Sequence, residues 1–175
     1  MTLNFDVHGT LFKYSYDLYT SKPLWYSEGR HPFVDDIPFM SMQYLLIDLQ
    51  KDGYDVRSLC KISVGTEVAK EEQRSDVRDN LAKYYPNLPS NCYCFCEGNK
   101  SEEFKKDGKV LTKEDILFDD YQPNLLEWER MGGTSIKVLN GINSITTWYG
   151  KYVDARWQKE KLYKRVKHIL NELSV

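Results

Sequence analysis

The sequence predicts an α/β protein built around an open, mostly parallel sheet. Three observations lead there. Short apolar runs alternate with longer stretches whose apolar residues recur at helical spacing. The short runs end in polar residues, Asp6 with His8, then Ser63, then Asp119 with Asp120, as strands do when their carboxyl ends converge on a ligand crevice. The length, 175 residues, is enough for one full core and too short for two ordinary domains.

The elements follow in chain order. Residues 3–7 read as a first strand running into Asp6-Val7-His8-Gly9-Thr10. Residues 12–37 carry no periodicity and hold Tyr14, Tyr16, Tyr19, Trp25, Tyr26 and Phe33 among Pro23, Gly29 and Pro32; a loop this long is usually functional. Beyond it, Phe39, Met42, Leu45, Leu46 and Leu49 recur at helical spacing, with Pro38 suited to the first turn and Gly53 just past the end. Residues 59–62 form a second strand ending at Ser63, and a polar helix follows over Glu67–Tyr84, stopped by Pro86. Residues 92–96 are a third strand and 116–118 a fourth, which ends at Asp119-Asp120. A short helix over 124–130 is capped by Gly132-Gly133, and 135–139 make a fifth strand. Leu162, Val166, Ile169, Leu170 and Leu173 form the apolar stripe of an amphipathic tail helix, whose basic polar face reads as solvated. Trp148-Tyr149-Gly150 either closes over the strand ends or begins the C-terminal packing.

Composition narrows the function. A formal net charge of −2 argues against a general polyanion binder, so no nucleic-acid polymer is expected as a partner. Mean hydropathy is −0.59, and no apolar run approaches the roughly 20 residues of a membrane span, so no membrane partner is expected. The first residues, Met1-Thr2-Leu3-Asn4-Phe5-Asp6, contain neither a basic stretch nor an apolar one, which argues against a secretory signal. Of the four cysteines, Cys92, Cys94 and Cys96 alternate and would share one face of a strand, too parallel for easy disulfides and without the paired spacing of a zinc site. Small reduced thiols in a buried strand are the favoured reading, a metal or redox role is the alternative, and reduced thiols point to the cytoplasm. The 13 tyrosines are unevenly spread, with Tyr14, Tyr16, Tyr19 and Tyr26 crowded into the long irregular segment.

The polar strand ends define a chemistry. Carboxylates gathered at one crevice repel each other unless a cation neutralises them, and an oxygen-only set suits Mg²⁺. A hydroxyl, Ser63 or Thr10, together with a lysine would complement phosphate oxygens. One carboxylate could then attack phosphorus, giving an acyl phosphate that water cleaves. Gly9 frees the backbone to turn sharply after the first strand. The plainer alternatives are that Asp6 belongs to a turn, that Ser63 caps the next helix, and that Asp119 and Asp120 make a turn and cap.

Phe5-Asp6-Val7-His8-Gly9-Thr10-Leu11 resembles the first motif of the haloacid dehalogenase (HAD) superfamily of phosphatases, Asp-x-Asp-Gly-Thr/Val-Leu/Phe. Ile62-Ser63 is similar to its second motif and Ile116-Leu117-Phe118-Asp119-Asp120 to its fourth. The stretch from Asp115 through Asn124, Glu127 and Gly133, continuing to Ile136-Lys137-Val138-Leu139-Asn140-Gly141, resembles more narrowly the small 5'(3')-deoxyribonucleotidase-like branch of bacteria and phages. The resemblance implies a three-layer Rossmann-like fold over residues 1–175, with a small cap at 14–37 inserted after the first strand. It implies Asp6 as nucleophile, with Mg²⁺ held by Asp6, the His8 backbone carbonyl, Asp119 and Asp120. It implies phosphate contacts from Ser63, with Thr10 as a further hydroxyl, and from a third-motif lysine. Related chains read Gly-x-Ser-Lys where this one reads Gly98-Asn99-Lys100-Ser101, so Lys100 is the choice and Lys105 the reserve.

The departure is His8, where active relatives carry the Asp that protonates the leaving oxygen and then activates water. Imidazole titrates near neutral pH and can do the same work. The opposing reading is a degenerate protein that binds nucleotide or phosphate without efficient turnover, since general acid–base catalysis contributes roughly 10² to 10⁴-fold. For a deoxynucleotide, stacking candidates are Phe12, Tyr14, Tyr16, Tyr19, Trp25 and Tyr26, with Arg30 or His31 near phosphate or base edges, unless these aromatics form the cap's own core. The expected activity is an Mg²⁺-dependent phosphomonoesterase acting on a small phosphorylated substrate, with a nucleotide favoured. A homodimer through the tail helix or the aromatic segment is compatible with the spacing, which does not demand it.

Overall fold

The structure is a computed structural model that describes residues 1–13, 37–62, 66–103, 108–142 and 147–174. Its centre is a six-stranded sheet in which every pairing is parallel. In chain order the strands and helices are β1 (Thr2–Phe5), β2 (Phe12–Lys13), β3 (Ile37–Pro38), α1 (Met40–Lys51), β4 (Asp55–Lys61), α2 (Glu67–Tyr84), β5 (Tyr93–Cys96), β6 (Asp115–Asp119), α3 (Gln122–Arg130), β7 (Thr134–Leu139), β8 (Tyr152–Asp154) and α4 (Lys159–Leu173). The order across the sheet is β5-β4-β1-β6-β7-β8, and β2 and β3 form a separate antiparallel ribbon.

This order follows from the handedness of crossovers. From β1 the chain steps outward through α1 to β4 and through α2 to β5, then returns to the other side of β1 for β6. Crossovers are right-handed, so helices for steps in opposite directions must lie on opposite faces. The cores match. Leu3, Phe5, Cys60, Ile116, Phe118, Ile136 and Val138 face a cluster that includes Met42, Leu45 and Leu49 of α1, Val77 and Leu81 of α2, and Leu162, Val166 and Ile169 of α4. Leu59 and Leu117, one residue out of phase, face Leu125 and Trp128 of α3. The result is a three-layer α/β sandwich, as the sequence predicts. The direction changes between β1 and β6, which opens a crevice beyond their carboxyl ends.

Local sequence explains most boundaries. Thr66 caps α2, its side-chain oxygen accepting the Ala69 N–H at 3.2 Å. Gly133 ends α3 closely, because a Cβ there would sit 2.2 Å from the Trp128 ring nitrogen. Two expectations need correction. Pro38 does not open the helix: it pairs with Phe12 in the β2–β3 ribbon, where a residue lacking an N–H is tolerated, and α1 begins two residues later. Cys92 is not in the third strand but ends a 3₁₀ turn, Ser90–Cys92, and packs with the larger cluster, whereas Cys94 and Cys96 belong to the smaller one. Only these two therefore share a face. The apolar stripe of the tail helix packs on the domain as expected, with Leu162, Val166, Ile169 and Leu170 buried. β8, a three-residue edge strand, has no counterpart in the sequence reading. Trp148 joins the smaller cluster, with Leu125 and Trp128 of α3, and donates to the Lys151 carbonyl at 2.9 Å.

The cap expected at 14–37 lies outside the described residues except for Ile37, which sits in the ribbon that brackets it. Among the described residues no helix is long and apolar enough to cross a membrane.

Candidate active site

Asp6 stands one residue beyond β1 and is anchored by its own N–H, which donates to the Phe118 carbonyl of β6 at 2.8 Å. The next residues fold into a tight loop. The amides of Leu11 and Phe12 both donate to the Val7 carbonyl at 2.9 Å, and Gly9 donates to Phe12 at 2.7 Å. Gly9 has φ +83°, and a Cβ there would fall 2.2 Å from Asp120 Oδ2. The turn therefore needs glycine both for its left-handed backbone and for its close approach to Asp120.

Asp119 is the last residue of β6 and is fully buried. Its Oδ1 accepts the Tyr121 N–H at 2.7 Å, and its Oδ2 accepts Asn124 Nδ2 at 2.9 Å and Lys100 Nζ at 2.7 Å. Lys100 Nζ also donates to Asp6 Oδ1. Asp120 is held from the other side: Asn140 Nδ2 donates to its Oδ2 at 2.9 Å and to the Gly9 carbonyl at 2.8 Å, while Lys137 Nζ donates to its backbone carbonyl. One carboxylate oxygen from each of Asp6, Asp119 and Asp120 lies within 4.8 Å of the others, and all three residues are buried.

The electrostatics follow from this burial. Burial pushes the Asp6 carboxyl up to about 7; Lys100 opposes the rise, while Asp119 and Asp120 add to it. Burial alone would drive Lys100 down, but Asp119 and Asp6 more than compensate and hold its ammonium charged. Burial lowers Lys137, against the pull of Asp120 and Asp119. Three buried acids thus face two lysines. Their crowded oxygens form a hard donor set that fits a divalent cation such as Mg²⁺. Thr10, in the same loop, is completely buried and its hydroxyl has no hydrogen-bond partner among the described residues. An unmade bond of this kind costs about 1–3 kcal/mol, which suits a hydroxyl kept for a ligand.

Of the residues singled out from sequence, the structure gathers Asp6, Lys100, Asp119 and Asp120 into one cluster, with His8 and Thr10 in the adjoining loop. Lys100 reaches two of the three acids; Lys105 lies outside the described residues, as do Ser63, Tyr14, Tyr16, Tyr19, Trp25, Tyr26, Arg30 and His31. Phe12 is a correction. It is 0% exposed and packs edge-on against Tyr84 and Tyr85, with ring centroids 5.9 and 5.3 Å away, so it is core and offers no face to a base. None of the four cysteines forms a disulfide, and burial pushes the Cys96 thiol up to about 11.

Sequence reasoning gave no role to Asn124, Lys137 or Asn140, which hold the acids in place. Lys137 did carry a signal. Alternation between Ile136 and Val138 puts its side chain on the face shared with α3, where an unpaired ammonium would be costly. A scan of protein-family models finds none that matches this chain, and a search of curated proteins finds no match either.

Proposed function

We propose that this chain is a Mg²⁺-dependent phosphomonoesterase that works through an aspartyl phosphate on Asp6, with a deoxynucleoside monophosphate as the favoured substrate. The observation that carries the reading is the convergence of Asp6, Asp119 and Asp120 with the ammonium of Lys100 at the switch point of a parallel sheet. The substrate class rests on the likeness of residues 115–141 to small deoxyribonucleotidases.

Each group has work that suits its surroundings. An Asp6 carboxylate oxygen attacks phosphorus as the ester P–O bond breaks, and His8 gives the leaving oxygen its proton. Water then attacks the same phosphorus, His8 takes a proton from it, and Asp6 is released with inorganic phosphate. Lys100 offsets charge on Asp6 and on the phosphoryl oxygens, and the hydroxyls of Thr10 and Ser63 complement those oxygens. A divalent cation held by Asp6, the His8 carbonyl, Asp119 and Asp120 would supply the remaining neutralisation between nucleophile and dianionic substrate. Asn124, Lys137 and Asn140 keep the acids from swinging apart.

The test is release of inorganic phosphate from p-nitrophenyl phosphate and from deoxynucleoside 5'- and 3'-monophosphates with Mg²⁺ present. Release that Asp6→Asn and EDTA both abolish is the expected result; no release above blank at any pH would overturn it. His8 favours a second reading, a binder without efficient turnover. That reading predicts nucleotide binding by the parent chain and a gain of hydrolysis in His8→Asp, and it fails if that variant is no faster than the parent.

A further inference from the structure

We infer that Glu127 is a positioning residue for Lys100, acting through Ser101 from the face of α3 that also holds Asp119; this rests on the phosphatase reading above. Lys100 sits in a turn that runs into helical backbone at Glu102 and Glu103; the Glu102 amide donates to the Asn99 carbonyl at 3.0 Å and the Glu103 amide to the Lys100 carbonyl at 3.3 Å. Such a turn lies at the surface on one side, since Glu102 is exposed. Yet its lysine side chain is 0% exposed and reaches two buried carboxylates. Something must fix the turn against the sheet. The next residue supplies it: Ser101, 2% exposed, donates its hydroxyl to Glu127 Oε1.

Glu127 lies three residues after Asn124 on α3, and positions so spaced share a helix face. Asn124 donates to Asp119 Oδ2, the same oxygen that receives Lys100. One helix face therefore grips both ends of the Lys100–Asp119 pair, the acid through Asn124 and the lysine turn through Glu127. The helix itself is rigidly seated. Leu125 and Trp128 are fully buried, the Trp128 ring N–H donates to the Asp115 carbonyl at 2.9 Å, and Ser135 Oγ donates to the Leu125 carbonyl at 2.9 Å. The second carboxylate oxygen of Glu127 is buried and has no hydrogen-bond partner among the described residues. An acid that serves only to fill the α3 face would be replaced at less cost by an apolar side chain. The hydrogen bond that Glu127 does accept is the one from Ser101.

Two measurements test this. The first is the kinetics of phosphate release from p-nitrophenyl phosphate by the full chain with Mg²⁺. Glu127→Ala and Ser101→Ala should each lower kcat about tenfold or more with KM changed far less. Glu127→Gln, which keeps an acceptor for Ser101, should recover most of that loss. In a Lys100→Ala background, Glu127→Ala should add nothing, because it acts through the lysine; full additivity would overturn the inference. The second needs no substrate. Amide hydrogen exchange of the peptide covering residues 98–103 should speed up about tenfold in Glu127→Ala and stay near the parent in Glu127→Gln, with α4 unchanged in both. Unchanged exchange at 98–103 in Glu127→Ala overturns the inference whether or not the chain hydrolyses phosphate. Altered exchange in a chain that proves inactive on every substrate supports the anchoring and overturns the phosphatase reading alone.

Discussion

Removing the charge of Asp6 should stabilise the metal-free protein at alkaline pH. Burial pushes this carboxyl from 3.8 up to about 7, with Lys100 opposing and Asp119 and Asp120 reinforcing the rise. Below pH 3.8 the acid is protonated in both folded and unfolded chains, and its ionisation costs the fold nothing. Between 3.8 and about 7 the folded chain holds a proton that the unfolded chain has released, so stability falls as pH rises. Above about 7 the folded chain bears the full cost, which for this displacement is about 4 kcal/mol. Asp6→Asn removes that cost while its side-chain oxygen still accepts from Lys100, whose ammonium keeps Asp119 at 2.7 Å. Urea unfolding of parent and variant in EDTA, from about pH 4 to about pH 8, should give a difference near zero at the acid end. It should grow to a few kcal/mol in favour of Asn at the other end. Mg²⁺ at about a hundred times its dissociation constant should then add about 2.7 kcal/mol to the parent and less to the variant. A difference that does not vary with pH, or a parent more stable than the variant at pH 8 in EDTA, would refute the reasoning.

Three further substitutions probe the same region. Gly9→Ala forces an L side chain into a left-handed φ of +83° with its Cβ 2.2 Å from Asp120 Oδ2, and should cost more than about 2 kcal/mol in thermal melts; an unchanged melting temperature would contradict the described loop. Asn140→Ala strips a donor from both the Gly9 carbonyl and Asp120 and should cost about 1–3 kcal/mol, read by denaturant unfolding, together with a lower Mg²⁺ affinity by calorimetry. Phe12→Leu should cost about 1 kcal/mol and leave KM for a nucleotide unchanged, because the ring packs on Tyr84 and Tyr85; a raised KM would return Phe12 to the substrate.

Much of the framework was legible because its signals are periodic or positional. The bounds Glu67–Tyr84 of α2 follow from a polar helix between Thr66 and Pro86, and the acids Asp6, Asp119 and Asp120 announce themselves by ending apolar strands. Lys100 was legible only by likeness, since nothing local says that a lysine in a surface turn will be drawn wholly inside by two carboxylates. β8 was not legible: three residues at a sheet edge are too few for alternation to register. The β2–β3 ribbon was missed for a different reason, since its two short arms belong to segments separated by the whole 14–36 stretch. The direction of Phe12 likewise depends on where α2 ends, a tertiary fact that an aromatic residue near an active-site motif does not reveal. Asn124 and Asn140 were invisible because an asparagine that clamps and one that faces water look identical in a sequence.

The pairing of β1 also constrains how the protein is made. Thr2 lies beside Asp115, and the Gly9 carbonyl receives its bond from Asn140, 131 residues later. β1 lies inside the sheet between β4 and β6, and it waits for β6 before both its edges are covered. At about 5–20 residues per second that delay lasts several seconds. Until then the edge of β1 away from β4, with Leu3 and Phe5, stays open, the kind of apolar edge that chaperones and neighbouring nascent chains recognise. Folding dominated by such distant contacts is slow, and the cluster of acids cannot assemble until residue 140 has docked, so a stalled or truncated chain lacks the site altogether.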